Sequence, residues 1–295
     1  MDLEKTLRRE LRRRRYWNAV VAQRYGDAVP LGDPRQFVYQ ISGDNVPHSQ
    51  KPTAVVKYVH EWRKGIREAQ YALRYSGTVG PTVYDVTTDT AVLPAVEIVM
   101  ETAFGSLQDA AARGVVYDTP QKMVMLAYDL AVLSYALESD GVSHCDIKPE
   151  NVFLFADEER GTLSCRLGDF GLARTHHEVI QLQRSPRFYG SFGFMAPEFV
   201  SSSSHPLPDL FSYGMLLYWI VRGRLPREFD VSPTSNTPEF YARQLSSGCY
   251  KRVIDTSLPR RLHPGLRDVI TLSTEPASSR PHSFKDIISI LDNYC

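Results

Sequence analysis

The chain has 295 residues, 34 basic against 34 acidic, and is 43% hydrophobic, enough apolar material for one large domain or two small lobes and too much for a disordered chain. Its balanced charge leaves no whole-chain field that would demand nucleic acid or an anionic membrane. The four cysteines, Cys145, Cys165, Cys249 and Cys295, form no CxxC pair, which argues against a disulfide framework or zinc site and for a reducing, intracellular setting in cytoplasm or nucleus.

The opening MDLEKTLRRELRRRRYW lacks the apolar stretch of a secretory signal, and no run reaches the roughly 18 apolar residues of a membrane span. Leu3, Leu7 and Leu11 recur among Arg8, Arg9 and Arg12 to Arg15, which predicts an amphipathic basic helix within an extension over 1–30. That arm is the one place expected to meet an acidic surface, nucleic acid or an import receptor; a solvated helix packed on the domain is the plainer reading. Apolar runs between Phe37 and Val59 predict antiparallel strands. A helix is expected over Glu61 to Tyr75, strands over Val83 to Val86 and Val96 to Met100, and helices over Met123 to Leu137, Leu210 to Val221 and Phe284 to Leu291. Ser212 and Gly214 interrupt the second of these helices, which reads as buried rather than membrane-spanning. A β-rich third followed by a helical remainder predicts an α+β fold of two unequal lobes, 31–103 and 104–295, with the boundary near Glu101 to Ser106.

The stretch His144-Cys145-Asp146-Ile147-Lys148-Pro149-Glu150-Asn151 precedes the apolar strand Val152 to Phe155. An ordinary turn capping a strand would not need this octapeptide. It resembles the catalytic loop of the eukaryotic protein kinase family, in which the Asp orients the attacking hydroxyl and the Asn binds magnesium. The resemblance implies a bilobal kinase-like fold, with ATP and Mg²⁺ as cofactors and protein hydroxyls as acceptors. By it, Asp146 is the catalytic base, Asn151 a metal ligand, and Lys148 a cation beside the transferred phosphoryl group, as in serine/threonine kinases. Asp169-Phe170-Gly171 resembles the family's second magnesium site, with Asp169 bridging metal and phosphates. Ala196-Pro197-Glu198, with Gly190-Ser191 before it, resembles the end of an activation segment.

Upstream, Ala54-Val55-Val56-Lys57 resembles the strand whose lysine neutralises the α- and β-phosphates. Its expected helical partner is Glu68, with Glu61 the alternative, and Tyr71 and Ala72 are expected to pack inward beside Glu68. Val96 to Glu101 resembles the strand entering the hinge, with Met100 as gatekeeper and Glu101 and Ala103 meeting adenine through main-chain groups. Asp209 and Arg280 resemble structural anchors, for the catalytic-loop backbone and for Glu198.

Three departures stand out. Leu31-Gly32-Asp33-Pro34-Arg35-Gln36-Phe37 keeps one glycine of the family's phosphate loop, so the Arg35 side chain is the expected substitute for main-chain amides. Val55 and Phe153 narrow the adenine pocket. Cys145 replaces the arginine that in many members receives an activation-loop phosphate, so activity is expected without phosphorylation between Arg174 and Tyr189. The leading expectation is an active serine/threonine protein kinase. The eroded loop motivates a second reading, a pseudokinase scaffold that binds nucleotide or proteins; a small-molecule phosphotransferase is a third. Asp109 and Glu150 are candidate contacts for basic substrates.

Overall fold

The computed structural model describes residues 17–32, 37–42, 46, 52–88, 95–114, 117, 119–157, 162–185, 188–201, 204–226, 229 and 238–294. The helix expected around Leu3 to Leu11, and the phosphate contact expected at Pro34 and Arg35, lie outside these residues. The chain divides into two compact units, Met1–Ala103 and Phe104–Cys295.

The first unit is built on a five-stranded antiparallel sheet of order β1-β2-β3-β5-β4, formed by β1 (Ala28–Leu31), β2 (Val38–Ser42), β3 (Thr53–Val59), β4 (Val83–Thr87) and β5 (Val96–Glu101). The period-2 alternation of β3 buries Ala54, Val56 and Tyr58 and leaves Val55 and Lys57 half-buried on the opposite face. Helix α1 (residues 17–25) covers the buried face. Its Trp17, Val21 and Tyr25 join Tyr39, Ile41, Val56, Tyr58 and Val99 in one core. Helix α2 (Trp62–Arg74) covers the other face, where Ala69 packs with Val96 and Ile98. Strand β5 is therefore covered on both sides, which is why VEIVM reads as a continuous apolar run interrupted only by Glu97. Strand β1 escapes a sequence reading because it is four residues long and contains Pro30; the proline is tolerated because β1 is the sheet's edge.

The second unit pairs a three-stranded sheet with most of the helices. Strands β6 (Gly105–Ser106), β8 (Val152–Asp157) and β9 (Thr162–Leu167) run in the order β6-β8-β9, and β7 (Val142–Ser143) pairs with β10 (Arg174–Thr175). The helices are α3 (Leu107–Ala112), α4 (Pro120–Ser139), α5 (His176–Gln183), α6 (Asp209–Arg222), α7 (Pro238–Ser246), α8 (Cys249–Ser257), α9 (Pro264–Ser273) and α10 (Phe284–Leu291). The expected Leu210-to-Val221 helix is α6, and it is buried on nearly all sides. Gly214 is required there: a Cβ would sit 2.8 Å from Thr274 Cγ2 and 2.9 Å from Ser273 Cβ, so its absence lets the end of α9 approach. Helices α3, α5, α7, α8 and α9 were not foreseen; of these, α3 and α5 open on reciprocal capping boxes, Ser106 with Asp109 and Thr175 with Glu178. Among the described residues no helix is long and apolar enough to cross a membrane.

Candidate active site

Lys57 and Glu68 meet in the first unit because α2 lies close on the sheet. Gly65 makes that closeness possible; a Cβ there would fall 2.8 Å from both Cβ and Cγ2 of Val96. One turn on, at i+3, Glu68 points the same way, is 3% exposed, and places Oε1 2.5 Å from Lys57 Nζ. Glu61, the alternative partner, is the exposed N-cap of α2. The fully buried residues of α2 are Gly65, Glu68 and Ala69; Tyr71 and Ala72 are half-buried, the Tyr71 ring stacking on the buried Tyr75. Val55 shares the Lys57 face and pairs in register with Met100, itself half-buried. The Glu101 carboxylate accepts from Thr82 Oγ1 (2.9 Å) and its N–H donates to Thr82 O (2.8 Å), so any main-chain contact that Glu101 makes with a base falls to its carbonyl. Ala103, half-buried, ends this unit.

In the second unit the loop from His144 to Asn151 is held from beneath by Asp209. Its carboxylate, 3% exposed at the head of α6, accepts from the main-chain N–H of His144 (2.5 Å) and of Cys145 (2.8 Å). The two charge-assisted bonds hold Cys145 at φ 64°, a left-handed conformation costly for a non-glycine residue. Burial raises both the Asp209 carboxyl and the Cys145 thiol above their ordinary values. The turned loop presents Asp146, whose Oδ1 accepts from Ser191 Oγ (2.7 Å) and whose Oδ2 lies 3.0 Å from Lys148 Nζ. Lys148 Nζ also donates to Ser191 Oγ (2.6 Å). One hydroxyl thus bridges the acid and the cation.

Asn151 Nδ2 donates to both the main-chain oxygen (2.9 Å) and Oδ2 (3.0 Å) of Asp146. Its amide oxygen is thereby the atom left to face a ligand, a hard donor suited to magnesium. Gly168 joins this loop to Asp169: its N–H donates to Asn151 O (2.9 Å), and its oxygen pairs with His144 Nε2 (3.0 Å). A Cβ on Gly168 would lie 2.6 Å from the Phe153 ring, so Phe153, half-buried on β8, leaves room only for glycine before Asp169. Asp169 then turns left-handed (φ 63°, ψ 64°), a region Asp tolerates better than most residues, and Phe170 is buried against the His144 ring (centroids 5.0 Å apart). One carboxylate and one amide oxygen suit a magnesium ion that takes its remaining ligands from phosphates and water. Among the described residues no three His, Cys, Asp or Glu side chains converge on a metal cage.

Glu198 and Arg280 form a fully buried two-point pair, Nη1–Oε1 2.5 Å and Nη2–Oε2 3.1 Å, with Arg280 Nε also donating to Glu275 O. Asp109 is exposed, and its Oδ2 accepts from the N–H (3.0 Å) and hydroxyl (2.7 Å) of Ser106 as the N3 member of the α3 cap, a structural role beyond the one expected of it. The sequence signal for this was Ser-x-x-Asp ahead of an apolar run. Glu150 is exposed.

A family model described as a protein kinase domain matches residues 53–288. Among curated proteins, the chain is 33% identical over 127 residues to a G-type lectin S-receptor-like serine/threonine-protein kinase of Arabidopsis thaliana, covering 40% of this chain and 14% of that protein. It is 27% identical over 165 residues to the same plant's G-type lectin S-receptor-like serine/threonine-protein kinase SD2-5, covering 51% and 18%. It is 34% identical over 126 residues to the proline-rich receptor-like protein kinase PERK12, also of that plant, covering 41% and 17%. The match therefore spans less than a fifth of each of these relatives' own length. With a family model covering most of its sequence, from the strand of Lys57 to the last helix, the chain belongs to the protein kinase family.

Proposed function

We propose that the protein is an active serine/threonine kinase that transfers the γ-phosphate of Mg-ATP to hydroxyl groups of proteins. The observation that carries this reading is the Ser191 hydroxyl held between Asp146 (2.7 Å) and Lys148 (2.6 Å). A hydroxyl in that setting donates to a carboxylate and lies beside a cation, the environment that an attacking acceptor needs. In this reading a substrate hydroxyl is placed beside Ser191, facing the same carboxylate and cation. Asp146 accepts its proton, and Lys148 neutralises charge on the group in transit. ATP supplies the phosphoryl group, and magnesium offsets charge on its phosphates. Asn151 and Asp169 would hold the metal, and Lys57, paired with Glu68, would hold the α- and β-phosphates. Val55, Met100 and Phe153 would line the base, with the Glu101 carbonyl and Ala103 N–H as its polar partners.

A pseudokinase is the rival reading, motivated by Pro34 and Arg35 where the family's phosphate loop has glycines. The retention of Lys57, Glu68, Asp146, Lys148, Asn151 and Asp169 favours the active enzyme. Incubation with labelled ATP, magnesium and a generic protein acceptor, followed by acid hydrolysis, tests the acceptor class. Label is expected on phosphoserine and phosphothreonine; label on phosphotyrosine alone, or on small hydroxyl metabolites in preference to protein, contradicts the proposal.

A further inference from the structure

The segment from Asp169 to Glu198 carries a tie that none of these roles uses. Gln183, the last residue of α5, is 4% exposed, and its amide closes a two-point bond on the main chain of His205: Nε2 donates to His205 O (2.9 Å) and Oε1 accepts from His205 N (3.0 Å). An amide in this position does the work of a neighbouring peptide group, and its loss leaves a buried donor and a buried acceptor unpaired. His205 is fixed in turn, because its Nδ1 accepts from Leu207 N (3.1 Å), two residues before the Asp209 that holds the catalytic loop. The clasp thus ties α5 to the stretch leading into that anchor.

The other end of the segment is docked on the loop itself. Gly190, at φ 116°, sits so close that a Cβ would lie 2.9 Å from Cys145 O. Tyr189 Oη donates to Leu172 O (3.0 Å), and the Arg174 guanidinium lies 5.4 Å from the Tyr189 ring centroid while Nη1 donates to Ala173 O. Cys145 is a buried neutral thiol with no charge to offer a phosphate. Neither half of the clasp is a hydroxyl, so neither offers the phosphate-ester site that a serine/threonine kinase would modify.

We propose that Gln183 is a positioning residue: its amide clasp on His205, rather than an added phosphate, holds the activation segment in the arrangement that delivers Ser191 to Asp146 and Lys148. The inference rests on the kinase reading above for its catalytic consequence, and on geometry alone for its structural one.

Amide hydrogen exchange read by mass spectrometry on the wild type, Gln183→Leu and Gln183→Glu tests the structural part. Kinetics on a peptide acceptor, with and without prior phosphatase treatment, test the catalytic part. Leucine keeps the volume and removes both bonds; glutamate keeps the acceptor and removes the donor. We expect Gln183→Leu to lose protection over residues 176–185 by about tenfold, as one or two lost neutral hydrogen bonds imply, with α6 protected as before and Gln183→Glu intermediate. Peptide kcat/KM falls by a similar factor, KM for Mg-ATP stays unchanged, and phosphatase leaves wild-type activity intact. Unchanged protection in Gln183→Leu, or wild-type activity abolished by phosphatase, overturns the proposal. Exchange needs no catalysis, so clasp-dependent protection in an inert wild type counts against the kinase reading alone, and clasp-independent protection in an active one against the clasp alone.

Discussion

His205 is a buried imidazole whose environment disfavours its charge: burial first, then the neighbouring Arg280 and His282 against the opposing pull of Glu198, push its pKa from 6.5 down to about 4. The unfolded chain binds the proton more readily, so the stability this neutral ring contributes is present in full above pH 6.5 and is lost as pH falls from 6.5 towards 4. The loss reaches at most about 3 kcal/mol at the acid end. His205→Asn, which keeps an acceptor for Leu207 N, should show a shallower fall in melting temperature between pH 7 and pH 4.5 than the wild type; parallel slopes would rule this out. At the same scale, much of the candidate site was legible. Lys57, Asp146, Asn151 and Asp169 were singled out from motifs because phosphoryl transfer admits few substitutes for a positioned cation, a base and hard oxygen ligands. The role of Gln183 was not legible, because nothing in the sequence says which main chain a glutamine amide will meet. The capping role of Asp109 was not legible for a related reason: a capping carboxylate is the same letter as any other until the Ser106 hydroxyl is seen to bind it.

Among the elements, α2, α4, α6 and α10 were foreseen from their apolar patterns, whereas α7, α8 and α9 were not. The helix expected over Glu61 to Tyr75 is Trp62–Arg74, and that expected over Phe284 to Leu291 has those bounds. The four-residue β1 and the short α3 carry too few periods to register. Helix α5 announces itself only through Thr175-His-His-Glu178, a capping signature followed by a weakly patterned run. The fit of α2 on the sheet yields a prediction. In Gly65→Ala the new methyl meets Val96 at 2.8 Å, so α2 must lift or Val96 must move, at a cost of about 1–3 kcal/mol. Lifting α2 carries Glu68 away from Lys57. Differential scanning calorimetry should show a lowered melting temperature, and nucleotide titration a weakened Mg-ATP affinity. An alanine variant with unchanged values in both would contradict the role given to Gly65.

Across the whole molecule, composition and the order of motifs were sufficient to read an α+β chain with a β-rich first unit and a largely helical second. The contribution of α1 was not readable in that way. The family model begins at residue 53, yet α1, β1 and β2 precede it and are part of the first unit's sheet and core. Tyr25 Oη donates to Glu97 Oε1 (2.7 Å), and Arg24 lies 3.1 Å from the same oxygen. This bonds α1 to the strand that leads to Met100. Glu97, the charged residue within the apolar run Val96 to Met100, is thus explained by a helix that lies ahead of the family match.

The proposed activity depends above all on Asp146 and Lys57. It is tested most directly by the rate of labelled γ-phosphate transfer from Mg-ATP to a protein acceptor, for the wild type beside Asp146→Asn and Lys57→Met, with each variant's fold checked by its melting curve. We expect measurable transfer by the wild type and a loss of at least about 100-fold in each folded variant, the scale of removing a general base or a phosphate-holding cation. Equal rates in all three proteins, or no transfer by any of them although all are folded, would contradict it.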